Sequence, residues 1–171
     1  MIRIGERVPH VRVPALANGT LTYFDWTQYR NRWLVLCSVP KLGVIDSIFL
    51  DHHASAFANY DAALIALCPE EGPLHHPGIR QLGALRIPIL ADPLRRLCRT
   101  YGILTQERQG RSQTFLIDPD HVLRFQVVQD LNGRGINAIL ELLSATQAQG
   151  LRLFERSESA RVTTPQAVSR L

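Results

Sequence analysis

The side chains in this chain that could act as strong nucleophiles belong to three widely spaced cysteines, Cys37, Cys68 and Cys98. A cysteine attacks as its thiolate, so a reactive one needs partial exposure and a nearby positive charge or helix N-terminus. Cys37 lies in the apolar run WLVLCSV, Cys68 ends the apolar run AALIALC, and Cys98 falls on the apolar side of a short predicted helix. We therefore interpret all three as small core residues. Their odd number and the lack of a C-x-x-C pair argue against a disulfide framework and a zinc site.

Other polar groups offer weaker candidate sites. A metal site would need one histidine from His52-His53, one from His75-His76, and Asp51 or a glutamate, because adjacent histidines on a helix point about 100° apart and cannot hold one ion together. Glu70-Glu71 is a carboxylate pair in a loop rich in breakers. One helical turn brings together three arginines, Arg95, Arg96 and Arg99. We interpret each group as a solvated surface and expect no metal and no cofactor.

Composition places the chain among ordinary globular domains. It has 171 residues, of which 46% are hydrophobic and 20% charged, with a formal net charge of +4. The basic residues are scattered arginines, with Lys41 the only lysine, so we expect no nucleic-acid partner. No run approaches the roughly 18 apolar residues of a membrane span, and MIRIGERVPH lacks the apolar segment of a secretory signal. We expect a single folded domain in the cytoplasm that does not contact a membrane.

The first half of the chain predicts strands that alternate with helices. Residues 11–25 predict a hairpin around Asn18-Gly19, the strongest two-residue hairpin signal. A short helical turn follows near WTQYR, and then the continuous apolar run at 33–39 predicts a central strand. Residues 46–60 predict a helix whose first turn Asp46 is placed to cap, and residues 62–68 predict a second buried strand.

The second half predicts shorter elements and one long helix. A helix is expected at 79–85, a brief apolar segment at 87–90, and a helix that Pro93 begins and Gly102 ends. Two β-rich runs around the turn at 118–121 predict a second hairpin, and 133–149 predicts a long amphipathic helix. This order predicts an α/β thioredoxin-like fold with a mixed central sheet, a domain at 1–149, and a C-terminal arm or tail at 150–171.

Five segments resemble, in order, the peroxiredoxin family of alkyl hydroperoxide reductase and thiol-specific antioxidant proteins. They are IGERVPHVRVPAL, WLVLCSVP, LADPLRRLCRTYGIL, TFLIDPDHVLR and GRGINAILELLSATQ. The resemblance implies a peroxiredoxin-type thioredoxin fold and reduction of hydroperoxides by a peroxidatic cysteine. That cysteine stands in the pattern P-x-x-x-T/S-x-x-C, where the helix N-terminus and an arginine lower its pKa and the hydroxyl aligns the peroxide.

In this chain the corresponding segment is PKLGVIDS, which keeps Pro40 but has Val44 at the hydroxyl position and Ser47 at the cysteine position. A serine hydroxyl is far more basic than a thiol and has no equivalent of the sulfenic acid step. The resemblance therefore implies that this chain, with serine at position 47, lacks the family's peroxidase activity. Ser47 has two further interpretations, an engineered replacement of cysteine and a helix cap through its hydroxyl.

Two arginines complete the site that the resemblance implies. Gly133-Arg134 matches the family's GR pair, so Arg134 is expected near the peroxidatic helix. The family's R-x-T-F becomes RSQTF, which puts Ser112 at the arginine position and Arg111 one residue early. Because strand side chains alternate, Arg111 would point away from the pocket unless a bulge corrects it. The tail has Thr164-Pro165 in place of a resolving Cys-Pro.

We thus expect a peroxiredoxin-like protein that lacks thiol peroxidase activity and acts by binding or assembly. The alternative is a one-cysteine peroxidase, altered at residue 47 or using another cysteine, which would act on a hydroperoxide and a reducing thiol protein. Family members commonly dimerise through the last strand, here Leu123 to Val128, whose apolar residues make an unprotected edge unfavourable. We therefore expect a homodimer or a larger homo-oligomer.

Overall fold

The structure is a computed structural model that describes residues 1–69, 76–81, 85–103 and 111–162. Its strands are β1 (Arg12–Ala17), β2 (Thr20–Asp25), β3 (Trp33–Ser38), β4 (Ala62–Cys68), β5 (Ile89–Ala91), β6 (Ser112–Ile117) and β7 (Leu123–Gln129). Its α-helices are α1 (Val44–Ala58), α2 (Pro77–Gln81), α3 (Arg96–Tyr101) and α4 (Gly133–Val162). The strands form one sheet in the order β2-β1-β5-β4-β3-β6-β7. The predicted thioredoxin-like fold with a mixed central sheet is confirmed.

The first hairpin forms where the Asn-Gly signal predicts it. β1 and β2 pair antiparallel from Arg12 opposite Asp25 to Ala17 opposite Thr20. Asn18 and Gly19 both have positive φ, 51° and 72°, as a two-residue turn of the primed type requires. Asp25 then accepts a hydrogen bond from the Thr27 amide and begins a 3-10 turn at Trp26–Tyr29.

β3 is central, as the continuous apolar run predicts. It pairs parallel with β4 on one side and antiparallel with β6 on the other. A strand covered on both faces buries side chains of either parity, and Leu34, Val35, Leu36 and Cys37 are each at most 1% exposed. β5 extends the parallel part beyond β4.

Alternate side chains of the sheet enter two separate cores. On one face Val35, Cys37 and Leu116 pack with α1 and α4 through a cluster that includes Leu50 and Ile139. On the other face Leu34, Leu36, Phe115 and Ile117 pack with Trp26, Leu97 and Tyr101. Both faces of the sheet are therefore buried.

The boundaries of α1, α2 and α3 differ from prediction. α1 runs from Val44 to Ala58, two residues earlier at both ends than expected. α2 spans Pro77–Gln81, whereas Leu85 of the predicted 79–85 segment is not helical and 82–84 lie outside the described residues. α3 begins at Arg96 rather than at Pro93.

The start of α3 has a physical cause. Asp92 is buried, and its two carboxylate oxygens accept hydrogen bonds from the amides of Arg96 and Cys98 at 2.8 and 2.7 Å. Arg95, with φ 53°, turns the chain between the cap and the helix. Pro93 therefore lies in a turn before the helix, while Gly102 ends α3 with φ 69°, as predicted.

The second hairpin and the last helix complete the fold. β6 and β7 pair antiparallel, which confirms the predicted hairpin. α4 continues to Val162, beyond the 133–149 segment predicted as helix, while 163–171 lie outside the described residues. The boundary between a domain at 1–149 and an arm at 150–171 stays a prediction. In the described part of the chain no helix is long and apolar enough to span a membrane.

Candidate active site

The candidate site lies where β3 ends and α1 begins. Pro40 is half-buried in the connection, Val44 is the first residue of α1 and half-buried, and Ser47 is fully buried in the first turn. The parallel pairing of β3 with β4 and its antiparallel pairing with β6 hold this end of β3 in the middle of the sheet. Three of the predicted site residues thus share one short segment at the N-terminus of α1.

Gly43 and Asp46 form the N-terminal cap of α1. Gly43 is the N-cap residue, and its amide donates a 2.9 Å hydrogen bond to Asp46 Oδ2. Asp46 therefore helps to cap the first turn as predicted, but it does so as the third residue of α1 rather than at the start of the helix. Its carboxylate also lies at the positive end of the helix dipole, which stabilises the helix.

Ser47 uses both of its hydrogen-bond donors within α1. Its hydroxyl donates to the Gly43 carbonyl oxygen at 2.8 Å, and its amide donates to the same oxygen at 3.1 Å. A capping hydroxyl accepts from an amide of the first turn, whereas this hydroxyl donates back to the preceding turn. The interpretation of Ser47 as a helix cap is wrong, because the hydroxyl satisfies a carbonyl that the helix already engages.

Val44 packs tightly against α2. A Cβ atom placed on Gly78 would lie 2.9 Å from Val44 Cγ2 and 3.2 Å from the His76 ring. Gly78 therefore allows α2 to approach the start of α1 closely. An apolar side chain at residue 44 is consistent with this close packing.

Arg134 is in the first turn of α4, and its side chain is exposed. The cap of this helix is Asn132, whose Oδ1 accepts a hydrogen bond from the Gly135 amide at 2.9 Å. Within the described residues no hydrogen bond or ion pair joins Arg134 to Ser47. Its predicted place beside the pocket stays a prediction.

Arg111 immediately precedes β6 and is exposed. Its guanidinium lies 3.9 Å from the Asp130 carboxylate, and both side chains are largely solvated. Ser112 is buried and lies on the same face of β6 as Leu116, which packs in the core with α1. The one register shift of this hairpin lies between Leu116 and Ile117, at the far end of β6. Position 112 therefore faces the α1 side, and no bulge redirects Arg111.

The three cysteines are all buried, with side chains at most 1% exposed. Burial raises the pKa of Cys37 to about 11, although a hydrogen bond from Thr114 opposes the shift. Burial, together with the Asp92 carboxylate, raises the pKa of Cys98 to about 12. Both thiols are therefore protonated at neutral pH, as expected of core residues.

One buried polar pair was not anticipated. Ser38 and Gln113 are cross-strand partners on β3 and β6, and both are at most 1% exposed. The Ser38 hydroxyl and both polar atoms of the Gln113 amide have no hydrogen-bond partner. The signal in the sequence is the glutamine near the start of the apolar strand SQTFLI. Prediction from the hydrophobic pattern alone does not identify such a residue.

The remaining polar candidates do not converge. In the ranges that the structure describes, no three histidine, cysteine or acidic side chains are grouped as metal ligands. His53 Nδ1 instead lies 2.8 Å from the Phe49 carbonyl oxygen within α1. His75 and Glu70-Glu71 lie outside the described residues.

Known proteins are similar to this chain in sequence and in fold. The sequence profile of the AhpC/TSA family matches residues 4–126. Peroxiredoxin tpx1 of Schizosaccharomyces pombe is 30% identical over 158 residues, which cover 85% of this chain and 82% of that protein. A putative peroxiredoxin in the rubredoxin operon of Clostridium pasteurianum is 31% identical over 167 residues, which cover 86% and 91%.

Solved structures agree with these relatives. The structure of Mycobacterium tuberculosis AhpC superposes with a TM-score of 0.70 at 20% identity, covering 87% of this chain and 95% of that one. A reduced 2-Cys peroxiredoxin of Plasmodium vivax gives the same TM-score and covers 86% and 98%. The fold, the profile match and the relatives together place this chain in the AhpC/TSA, or peroxiredoxin, family.

Proposed function

We propose that this chain is a peroxiredoxin-family protein without thiol peroxidase activity, which acts by binding or assembly in a redox-linked setting. The observation that carries the proposal is Ser47. It is a buried alcohol in the first turn of α1, and its hydroxyl donates a hydrogen bond to the Gly43 carbonyl oxygen. In the family pattern this is the position of the attacking cysteine.

The family reaction needs sulfur at this position. A thiolate attacks the peroxide O–O bond, sulfur is oxidised to sulfenic acid, and the second oxygen leaves as water or an alcohol. A serine hydroxyl is not ionised at neutral pH, and its oxygen has no stable oxidised state equivalent to sulfenic acid. Residue 47 therefore cannot complete a catalytic cycle as serine.

The surroundings of residue 47 would also support a thiolate poorly. Asp46 places a carboxylate one residue away, in the same helical turn, and a like charge raises the pKa of a thiol. Arg111 is exposed beside Asp130, and among the described residues no hydrogen bond or ion pair joins Arg134 to Ser47. The positive end of α1 alone would favour the anion.

The second candidate function is a one-cysteine thiol peroxidase in which residue 47 was changed from cysteine to serine. It is favoured by the names of the relatives, which include peroxiredoxins and a thioredoxin peroxidase of Trypanosoma brucei rhodesiense. Such an enzyme would act on a hydroperoxide and a reducing thiol protein. Peroxidase chemistry at Cys37 or Cys98 is disfavoured because burial raises the pKa of both thiols.

Peroxide consumption by four variants separates the two candidates. Hydrogen peroxide loss with dithiothreitol is measured for the unmodified chain, Ser47→Ala, Ser47→Cys and Ser47→Cys with Asp46→Asn. We expect no turnover by the first two and none by Ser47→Cys. Sustained turnover by Ser47→Cys would establish the second candidate, and faster turnover after Asp46→Asn would then show that the adjacent carboxylate had suppressed it.

We also propose that the chain forms a homodimer, or a larger homo-oligomer, through the edge strand β7. β7 is the last strand of the sheet order, and Phe125, Val127 and Val128 on it are only partly covered. Light scattering should give a dimer mass that Val128→Lys lowers, whereas Tyr23→Lys on the opposite edge strand should leave it unchanged. A monomer mass for the unmodified chain would contradict the proposal.

A cytoplasmic location remains part of the proposal. Fractionation of cells that express the full chain should recover it with the cytoplasmic proteins, and recovery with membranes would contradict this.

A further inference from the structure

A basic cavity lies at the end of the sheet opposite the candidate active site. β6 runs antiparallel to β3, so the turn at 118–121 lies beside the beginning of β3, whereas Pro40 and α1 follow its end. The cavity at this turn has a volume of about 250 Å³. It is lined by Arg7, His10, Arg30, Asn31, Pro119, Asp120 and His121.

His121 is the buried member of this lining. It is 7% exposed, and its Nε2 atom has no hydrogen-bond partner. The main chain fixes the residue in place: its amide donates to the Asp118 carbonyl at 2.9 Å, and its carbonyl accepts from the Val8 amide at 2.7 Å. A buried polar nitrogen without a partner is unfavourable, so a ligand that bonded Nε2 would satisfy a group that the protein leaves open.

Basic residues lie around this imidazole. The His10 and His121 rings have centroids 5.6 Å apart, and Arg7 and Arg30 belong to the same lining. Burial lowers the pKa of His121, and the charges of His10, Arg30 and Arg7 lower it further. These effects disfavour a cation at His121, and a negative charge in the cavity would oppose them.

The nearby carboxylates do not cancel this charge. Asp118 opposes the shift of His121, but its oxygens are engaged by Arg124 at 2.6 Å and by the amides of Asp120 and Val122, each at 2.9 Å. Asp120 is exposed on the cavity wall. Asp25, whose charge acts on His10, accepts a hydrogen bond from Thr27. The described lining therefore contains two arginines and two histidines but only one carboxylate, that of Asp120.

We propose that this cavity binds a phosphate group, with Arg7 and Arg30 contacting its oxygens and His121 Nε2 donating a hydrogen bond. Guanidinium groups match the geometry of phosphate oxygens, and a charged acceptor makes the hydrogen bond from Nε2 stronger. The volume exceeds what an inorganic phosphate fills, so the cavity also has room for the organic part of a small phosphate monoester. The site is independent of Ser47 and of the function proposed above.

The test is an NMR titration of the His121 imidazole in the full chain, at fixed ionic strength. Inorganic phosphate and glycerol 3-phosphate are the two probes. We expect either one to shift the His121 resonance saturably, to raise its midpoint of titration, and to bind more tightly as the pH falls from 8 to 6. Tighter binding of glycerol 3-phosphate would identify the ligand class as monoesters, and equal or weaker binding would identify free phosphate.

Arginine variants distinguish a specific phosphate site from non-specific attraction of anions by the positive charge of the protein. Arg30→Gln and Arg7→Gln should each weaken phosphate binding about tenfold, since each removes a charge-assisted contact. Arg96→Gln, at an exposed arginine on α3, is the matched control and should leave binding unchanged. A His121 resonance that millimolar phosphate does not shift, or an equal loss of binding in all three variants, would overturn the proposal.

Discussion

The native thiols of this chain should react far more slowly than free cysteine, and the size of the effect follows from their pKa values. At pH 7 a thiol with a pKa of about 11, as in Cys37, is ionised to about one part in 10⁴. An unperturbed cysteine with a pKa of about 8.5 is ionised to about 3%. Ionisation alone therefore slows Cys37 by about 300-fold, and Cys98, with a pKa of about 12, by about 3000-fold.

Alkylation by iodoacetamide under native conditions, followed by peptide mass spectrometry, measures this directly. The label should appear on Cys37 and Cys98 at least 300-fold more slowly than on the same chain in guanidinium chloride, because burial also restricts access. The native rates should rise about tenfold per pH unit between pH 7 and 10, as the thiolate fraction does. Labelling of either residue at the rate of free cysteine would refute the reasoning and reopen a relocated peroxidatic cysteine.

Three further predictions concern stability. Asp92→Ala should lower the free energy of unfolding, measured in urea, by about 2–4 kcal/mol, because it leaves the amides of Arg96 and Cys98 without acceptors. The control Asp130→Ala, at an exposed residue, should change this free energy by less than about 0.5 kcal/mol. Equal effects of the two substitutions would contradict the capping role of Asp92. Gly102→Ala should destabilise the folded state by about 1 kcal/mol or more, since the residue has φ 69° and a Cβ would clash with the Met1 side chain. An unchanged melting temperature would argue against this geometry. His121 has a lowered pKa in the folded state, so the unfolded chain binds more protons and the free energy of unfolding should fall as the pH drops below about 6.5. His121→Gln should reduce this pH dependence of stability. A fall of equal size in the variant would show that the pH dependence comes from other groups.

The elements that the sequence predicted well are those whose signals are local. Asn18-Gly19 supplies two residues that tolerate positive φ, and Gly102 supplies a third at the end of α3. The apolar run of β4 has the same bounds in the sequence and in the structure, because both faces of the strand are buried. A signal contained in a few neighbouring residues needs no knowledge of the rest of the fold.

The boundaries that were missed depend on geometry beyond the neighbouring residues. Asp92 caps α3 from four residues before its start, with Arg95 in a left-handed conformation between them, and no residue pattern marks that path. α4 continues through a polar segment in which the apolar spacing fades. Pattern alone therefore placed a proline at the first helical position and ended the last helix early.

The candidate site shows the same division. Family resemblance located Pro40, Val44 and Ser47 in one segment. Only the structure shows that the Ser47 hydroxyl donates its hydrogen bond to the Gly43 carbonyl oxygen. The cavity around His121 joins residues from three distant parts of the chain, including Arg7 and Arg30. No spacing in the sequence connects them. The pairing of Arg7 with Val122 brings the N-terminal segment to the turn at 118–121, and the pairing of β3 with β6 brings Arg30 there.

The most direct measurement of the central claim is the initial rate of hydrogen peroxide loss with excess dithiothreitol, compared between the unmodified chain and Ser47→Ala. If residue 47 performs no redox chemistry, both rates equal that of the buffer with dithiothreitol alone, at every protein concentration. A rate that rises in proportion to the unmodified chain, saturates with peroxide and disappears in Ser47→Ala would contradict the account.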